Sequence, residues 1–175
     1  IDDFTGPIYH TGLWPHEGVD FKGKKVAVIG TGSSAIQSLP IIAAEASTLT
    51  IFQRTANYSI PARNEPLEPG YVDEIKARYR SYRGENWERG FGADFRDNDQ
   101  SALEVGDEDR RAEYEDRWAR GGLPFLAAYN DLVFDDQANG TARDFFREKI
   151  AEKIEDRELA KKLIPDFPIG CKRLC

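Results

Sequence analysis

The chain contains no methionine, and only two cysteines and two histidines among its 175 residues. Cys171 and Cys175 stand close together without the further Cys or His ligands that a zinc site needs. No basic-then-apolar leader opens the chain, so two thiols of this kind fit a reducing compartment, and the expected location is the cytoplasm. No apolar run reaches membrane-spanning length, and no membrane partner is expected. A basic excess is missing too. The formal charge is −7, which argues against a nucleic-acid surface, because such a surface needs a net basic face. The acid is unevenly spread: residues 1–60 carry −1, 61–165 carry −7 and 166–175 carry +1. What is present, 40% apolar and 11% aromatic residues, excludes global disorder and allows a buried core. A chain that starts at Ile1 and lacks Met is expected to be part of a longer polypeptide, whose remainder would be its first partner.

The first third reads as a β-α-β unit. Lys24-Lys25-Val26-Ala27-Val28-Ile29 is a short, β-branched apolar run suited to a strand buried on both faces. Gly30 ends it. A helix is expected from Ser33 to about Ala46, where Ala35, Ala43, Ala44 and Ala46 would let it lie close to the sheet. Pro40 sits inside that stretch and predicts either a kink or an earlier end. Thr48 to Phe52 reads as the second strand.

Beyond Pro61 the texture changes. Pro61, Pro66, Pro69 and Gly70 punctuate a linker. Helical segments are expected at about 71–83, 107–120, 123–134, 141–155 and 157–163. In the fourth, Phe146, Ile150 and Ile154 recur every four residues, which stacks them on one face, and Thr141 to Asp144 resembles a capping box. Ser101 to Glu104 also matches such a box, but no apolar periodicity follows it. The stretch from Gly84 to Gly106 reads as loop. Near Phe167 the chain leaves the helices through Pro168 and Gly170. There are no internal repeats. The expected architecture is α/β: a partial Rossmann-type nucleotide-binding domain interrupted by a helical subdomain. Its segments are an inter-domain linker (1–20), the first part of the nucleotide domain (21–62), the helical insertion (63–165) and the return (166–175).

Gly30-Thr31-Gly32-Ser33-Ser34-Ala35 is a glycine turn between strand and helix. Gly30 permits the tight turn. Gly32 leaves the backbone open to a pyrophosphate, and free N–H groups at the helix start meet the anion. Ala35, in place of a third glycine, still allows close helix–strand packing. Taken without its flanking strands, such a turn would be an ordinary βα connection. At the end of the second strand an NAD site usually carries Asp or Glu for the ribose 2′-hydroxyl. This chain has Gln53-Arg54-Thr55 there, and no acidic residue from position 46 to 64. Arg54 offers a planar fork to a 2′-phosphate and Thr55 a hydroxyl, which predicts NADPH in preference to NADH. The alternative for Arg54 is a solvated surface residue.

Upstream, Phe4-Thr-Gly6-Pro-Ile-Tyr-His10-Thr-Gly-Leu-Trp14-Pro15 fits F-x-G-x-x-x-H-x-x-x-W-P at every defined position. His10 alone reads more readily as a structural hydrogen-bonding residue than as a catalytic one. This segment, followed fifteen residues later by the glycine turn, resembles the signature of Baeyer–Villiger monooxygenases. The resemblance continues through Trp14 to Phe21, Val28 to Ser34, Phe52 to Thr55, Pro61 to Asn64 and Ser101 to Val105, and is nearest to the phenylacetone and cyclohexanone monooxygenase branch. It implies an FAD- and NADPH-dependent enzyme that uses O2 to convert a ketone into an ester or lactone, with FAD bound mostly by regions absent from this chain. It implies cofactor-binding roles for Gly30, Thr31, Gly32, Ser33, Ser34, Arg54 and Thr55. His10 and Trp14 would position the linker. Lys172-Arg173, otherwise a surface basic pair, would be the family's Lys-Arg pair: Lys172 near the 2′-phosphate and Arg173, the one catalytic candidate, beside flavin and nicotinamide. Two other readings are a heteroatom-hydroxylating flavin monooxygenase and a non-catalytic NADP-binding module.

Overall fold

Lys25–Ile29 (β1) and Thr48–Phe52 (β2) run parallel in register, Val26 opposite Leu49 and Val28 opposite Ile51, joined by the helix Ser33–Glu45 (α1). The computed structural model describes residues 3–172 and 174. The chain packs as two units, Ile1–Ala56 and Asn57–Cys175.

In the first unit Val26 and Val28 are half-buried, whereas Ala27 and Ile29 are exposed, Ile29 by 81%. The expectation that β1 is buried on both faces is therefore corrected for this chain: among the described residues the sheet has two strands, and only alternate side chains are covered. The helix runs through Pro40 to Glu45, as far as its sequence implied. Its buried residues are Ala35 and Ile42. Ala43 and Ala44 are exposed, because the 100° step of a helix carries them off the face shared by positions 35 and 42. The chain from Phe21 to Lys24 is pinned across the far end of this helix. Gly23 N–H donates to Glu45 O (3.0 Å), Ser47 N–H to Lys24 O (2.9 Å), and Phe21 N–H to the Glu45 carboxylate (3.4 Å).

The second unit is helical: Tyr71–Ala77 (α2), Tyr79–Trp87 (α3), Asp107–Arg120 (α4), Asp136–Lys153 (α5) and Arg157–Leu163 (α6), with a 3₁₀ turn at Leu123–Ala127. Helices α4 and α6 match the sequence pattern. The single helix expected over 71–83 is two, broken at Arg78 (φ −118°, ψ 23°), and it continues to Trp87. Neither half buries a residue, so no packed face enforces one straight axis. The Arg78 guanidinium bridges the break, 3.6 Å from Glu74 and 2.9 Å from Glu85.

The helix expected over 123–134 is a 3₁₀ turn that stops after Ala127, because this stretch bonds to partners far away in sequence, beginning with Asn98 Nδ2, which donates to Ala128 O (2.9 Å). Asp131 accepts from the Ser101 hydroxyl (2.5 Å) and from Ala102 N–H (3.0 Å), and Asn130 N–H donates to Gln100 O (3.1 Å). These contacts also explain why Ser101 starts a turn and no helix. Helix α5 begins five residues earlier than expected. Its N-cap is Asp135, whose carboxylate accepts from Gln137 N–H (2.8 Å) and Ala138 N–H (2.9 Å), so Thr141 lies well inside it. Its buried face is Ala138, Asn139, Ala142, Phe145 and Phe146; Ile154 is the C-cap.

An aromatic core follows. The Tyr114 ring stacks on Phe125 (5.4 Å), Phe125 on Phe145 (5.8 Å), and Phe146 meets Phe125 edge-on (5.0 Å). At Gly121 (φ +76°) an added Cβ would stand 2.0 Å from Pro61 O, and Gly122 N–H donates to that same oxygen (3.0 Å). The segment beginning at Pro61 is thus seated on a corner that only glycine permits.

Burial raises the Tyr114 phenol from its ordinary value to about 12, although its hydrogen bond with Thr141 Oγ1 (2.7 Å) pulls the other way. A raised phenol keeps its proton in the fold while the unfolded chain loses it near pH 10. Its contribution is complete below pH 10 and is lost as pH rises towards 12. The difference corresponds to about 2–3 kcal/mol. Denaturant titrations should show stability falling over that window, and Tyr114→Phe, which keeps the ring, should flatten the fall.

Candidate dinucleotide site

The glycine turn lies in the first unit at the carboxyl end of β1, where α1 begins. Gly30 has φ +101°, a backbone conformation that side chains resist, and its N–H extends the strand pairing to Phe52 O (2.9 Å). Gly32 is different. Its φ is −77°, it is exposed, and a Cβ built there meets nothing within 4 Å. The protein's own packing therefore does not call for glycine at position 32. What glycine provides is clear approach to the backbone from outside.

Gly32 is also the N-cap of α1, and among the described residues no side chain caps the helix; no acidic residue occurs in its first turn. The N–H groups of Ser33, Ser34 and Ala35, the first three of the helix, have no intrahelical acceptor. By contrast, α5 and α6 are closed by Asp135 and Asp156. An open, acid-free helix start with the positive end of the dipole suits an anion.

Beyond Phe52 the strand pairing ends, and Gln53, Arg54 and Thr55 continue as an irregular arm. The Thr31 hydroxyl donates to Thr55 O (3.2 Å), joining the glycine turn to this arm. Arg54 is exposed. The structure thus brings Gly30, Thr31, Gly32, Ser33, Ser34, Arg54 and Thr55 onto one end of the β-α-β unit. Sequence reasoning missed the Thr31–Thr55 tie, since spacing carries no signal for a bond between a turn and a distant carbonyl.

The aromatic segment shows why its pattern takes these residue types. A Cβ at position 6 would lie 2.6 Å from the Phe4 ring, so Phe4 and Gly6 go together. His10 caps the 3₁₀ turn Thr11–Leu13: its Nδ1 accepts from Gly12 N–H (3.1 Å), and its carbonyl accepts from Leu13 N–H (2.8 Å). Trp14 lies between Tyr9 and Phe21, 6.0 Å from each ring. A cleft of about 530 Å3 separates Trp14 and Phe21 from Ser34, Gln37, Ile41 and Glu45 of α1.

Lys172 belongs to the second unit. It is exposed, with Nζ 4.2 Å from the centre of the Phe167 ring. Phe167 is itself held by Tyr58, whose hydroxyl donates to Phe167 O (2.8 Å) and whose ring meets it edge-on. Arg173 lies outside the described residues. Among the described residues no cluster of His, Cys, Asp and Glu suits a metal ion, and no helix is long and apolar enough to cross a membrane.

A strand, a glycine turn, an uncapped helix and a parallel strand, with an exposed arginine two residues beyond its end, form the β-α-β unit of this chain. No family model matches the sequence. It is 36% identical to cyclohexanone 1,2-monooxygenase of an Acinetobacter species over all of this chain and 32% of the relative. It is also 36% identical to phenazine N-monooxygenase of Lysobacter antibioticus, over 99% of the chain and 32% of that protein. Among solved structures, a steroid monooxygenase bound to NADP is 52% identical and superposes with a TM-score of 0.91 over 99% of this chain and 34% of its own. The chain spans about a third of the length of these relatives. It belongs to the Baeyer–Villiger monooxygenase family.

Proposed function

We propose that this chain is the NADPH-binding part of an FAD-dependent Baeyer–Villiger monooxygenase, which inserts one atom of O2 into a ketone to give an ester or lactone. The single observation that carries the reading is the glycine turn, open at Gly32 and followed by an uncapped helix, with exposed Arg54 in the arm just beyond the neighbouring strand. The residues fit NADPH in charge and in clearance. The N–H groups of Ser33 and Ser34 would receive the pyrophosphate, and Arg54 with the Thr55 hydroxyl the 2′-phosphate. Lys172 is assigned to the same coenzyme as a second cation. Arg173 is assigned to the reacting region, where a guanidinium keeps its charge at any working pH.

On this reading, the β-α-β unit is the opening of a Rossmann-type domain. Residues 1–20 are its linker, 21–62 its first part, 63–165 a helical insertion and 166–175 the return. FAD, held mostly by parts of the polypeptide outside this chain, supplies hydride acceptance and the oxygen chemistry when bound. The role of this chain is to bind and orient the reductant.

The likeness to a phenazine N-monooxygenase favours one second reading, oxygenation at a heteroatom. Product analysis separates the two. The holoenzyme supplied with NADPH, ¹⁸O2 and a panel of cyclic ketones should yield lactone carrying one ¹⁸O atom. N-oxide from phenazine, with no lactone from any ketone, would overturn the first reading in favour of the second.

A further inference from the structure

We infer that Thr31 is a positioning residue for cofactor selection: its hydroxyl sets the place of the arm that carries Arg54. This rests on the reading that Arg54 receives the 2′-phosphate, and it deepens that reading. In a glycine turn of this kind the side chain between the two glycines has two possible tasks, touching the pyrophosphate or bracing the protein. The structure assigns it the second. Thr31 is half-buried, and its Oγ1 donates to Thr55 O at 3.2 Å, across 24 residues of sequence.

That bond falls just past the end of the strand ladder. The last parallel pair is Ile29 with Phe52, and Gly30 N–H donates to Phe52 O beside it. Residues 53–55 then run outside the strand ladder. Arg54, exposed, stands between the end of the ladder and the braced carbonyl of Thr55. A guanidinium gains from a phosphate only when its fork is presented at the correct distance from the rest of the coenzyme. The Thr31–Thr55 bond links the part of the protein that faces the pyrophosphate directly to the part that faces the 2′-phosphate. It thereby fixes that distance through the protein.

The test is equilibrium binding of NADP⁺ and of NAD⁺ to the holoenzyme, each measured for wild type, Thr31→Val, Thr31→Ser and Arg54→Ala. Valine keeps the branched shape and removes the donor, whereas serine restores the donor. Thr31→Val should raise the Kd for NADP⁺ by about three- to tenfold, the range of one neutral hydrogen bond, with a much smaller change for NAD⁺. Serine should restore most of the discrimination. In the Arg54→Ala background, Thr31→Val should have no further effect on NADP⁺.

Equal weakening of both coenzymes by Thr31→Val would show that the hydroxyl touches the shared pyrophosphate, and would overturn the inference. So would an unchanged NADP⁺ affinity. If Arg54→Ala itself leaves the ratio of the two Kd values untouched, the underlying assignment of Arg54 fails, and this outcome is separable from failure of the Thr31 role. Melting temperatures of all variants distinguish loss of positioning from loss of fold.

Discussion

Gly32→Val is expected to abolish useful NADP(H) binding while leaving the protein as stable as before. The two halves of this expectation come from different observations. The backbone at Gly32 has φ −77°, within the range open to any residue, and a Cβ there meets nothing within 4 Å. Valine should therefore fold without strain, and the melting temperature should stay within a few degrees. The space that the side chain enters is the one through which a pyrophosphate would reach the first N–H groups of α1. Blocking it removes at least two charge-assisted hydrogen bonds, each worth about 1.5–3 kcal/mol. Binding should weaken by at least about a hundredfold, measured by coenzyme titration. The same substitution at Gly30, with φ +101°, should instead lower stability. A Gly32→Val variant that binds NADP⁺ normally would remove the glycine turn from the site.

Asn139→Ala should produce the largest loss of stability in the helical unit. Asn139 is 3% exposed and satisfies three backbone groups. Its Nδ2 donates to Leu132 O and Ile169 O, both at 2.9 Å, and its Oδ1 accepts from Ile169 N–H at 3.0 Å. Alanine leaves two carbonyls and one N–H buried without these partners, and each such group costs about 1–3 kcal/mol. A loss of about 3 kcal/mol or more is expected from denaturant unfolding. Asn139→Asp should be no milder, because a carboxylate accepts from Ile169 N–H but turns an oxygen towards two carbonyl oxygens. A loss below about 1 kcal/mol would show that the segment around Ile169 finds other partners.

The two predictions mark what the sequence does and does not make legible. The strand, turn, helix and second strand could be read because each rests on local chemistry: β-branched runs, a glycine with φ +101° and an Arg where acid is usual. The glycine-to-helix junction was legible for the same reason. Asn139 was not. Inside a helix, Asn has no periodic signature, and its partners lie 7 and 30 residues away. Thr141 to Asp144 fits a capping pattern, yet α5 starts five residues earlier, because Asp135 does the capping. Local patterns name candidates, but tertiary contacts choose among them. At Leu123–Ala127 hydrogen bonds to residues far away in sequence override local helix propensity, whereas at Arg78 the break lies where neither helix has a buried face to hold one axis. The resemblance compensated for part of this, since the Phe4 to Pro15 segment has little periodicity and its meaning came from the family.

The central claim is that Arg54 makes this a site for the phosphorylated nicotinamide coenzyme. It is tested most directly by steady-state kinetics of the holoenzyme with NADPH and NADH, before and after Arg54→Ala. The wild type should prefer NADPH, and the substitution should raise KM for NADPH by about ten- to a hundredfold, the loss of one charged hydrogen-bonding partner, while KM for NADH moves little. Equal changes for the two coenzymes, or a wild type with no preference, would contradict the account.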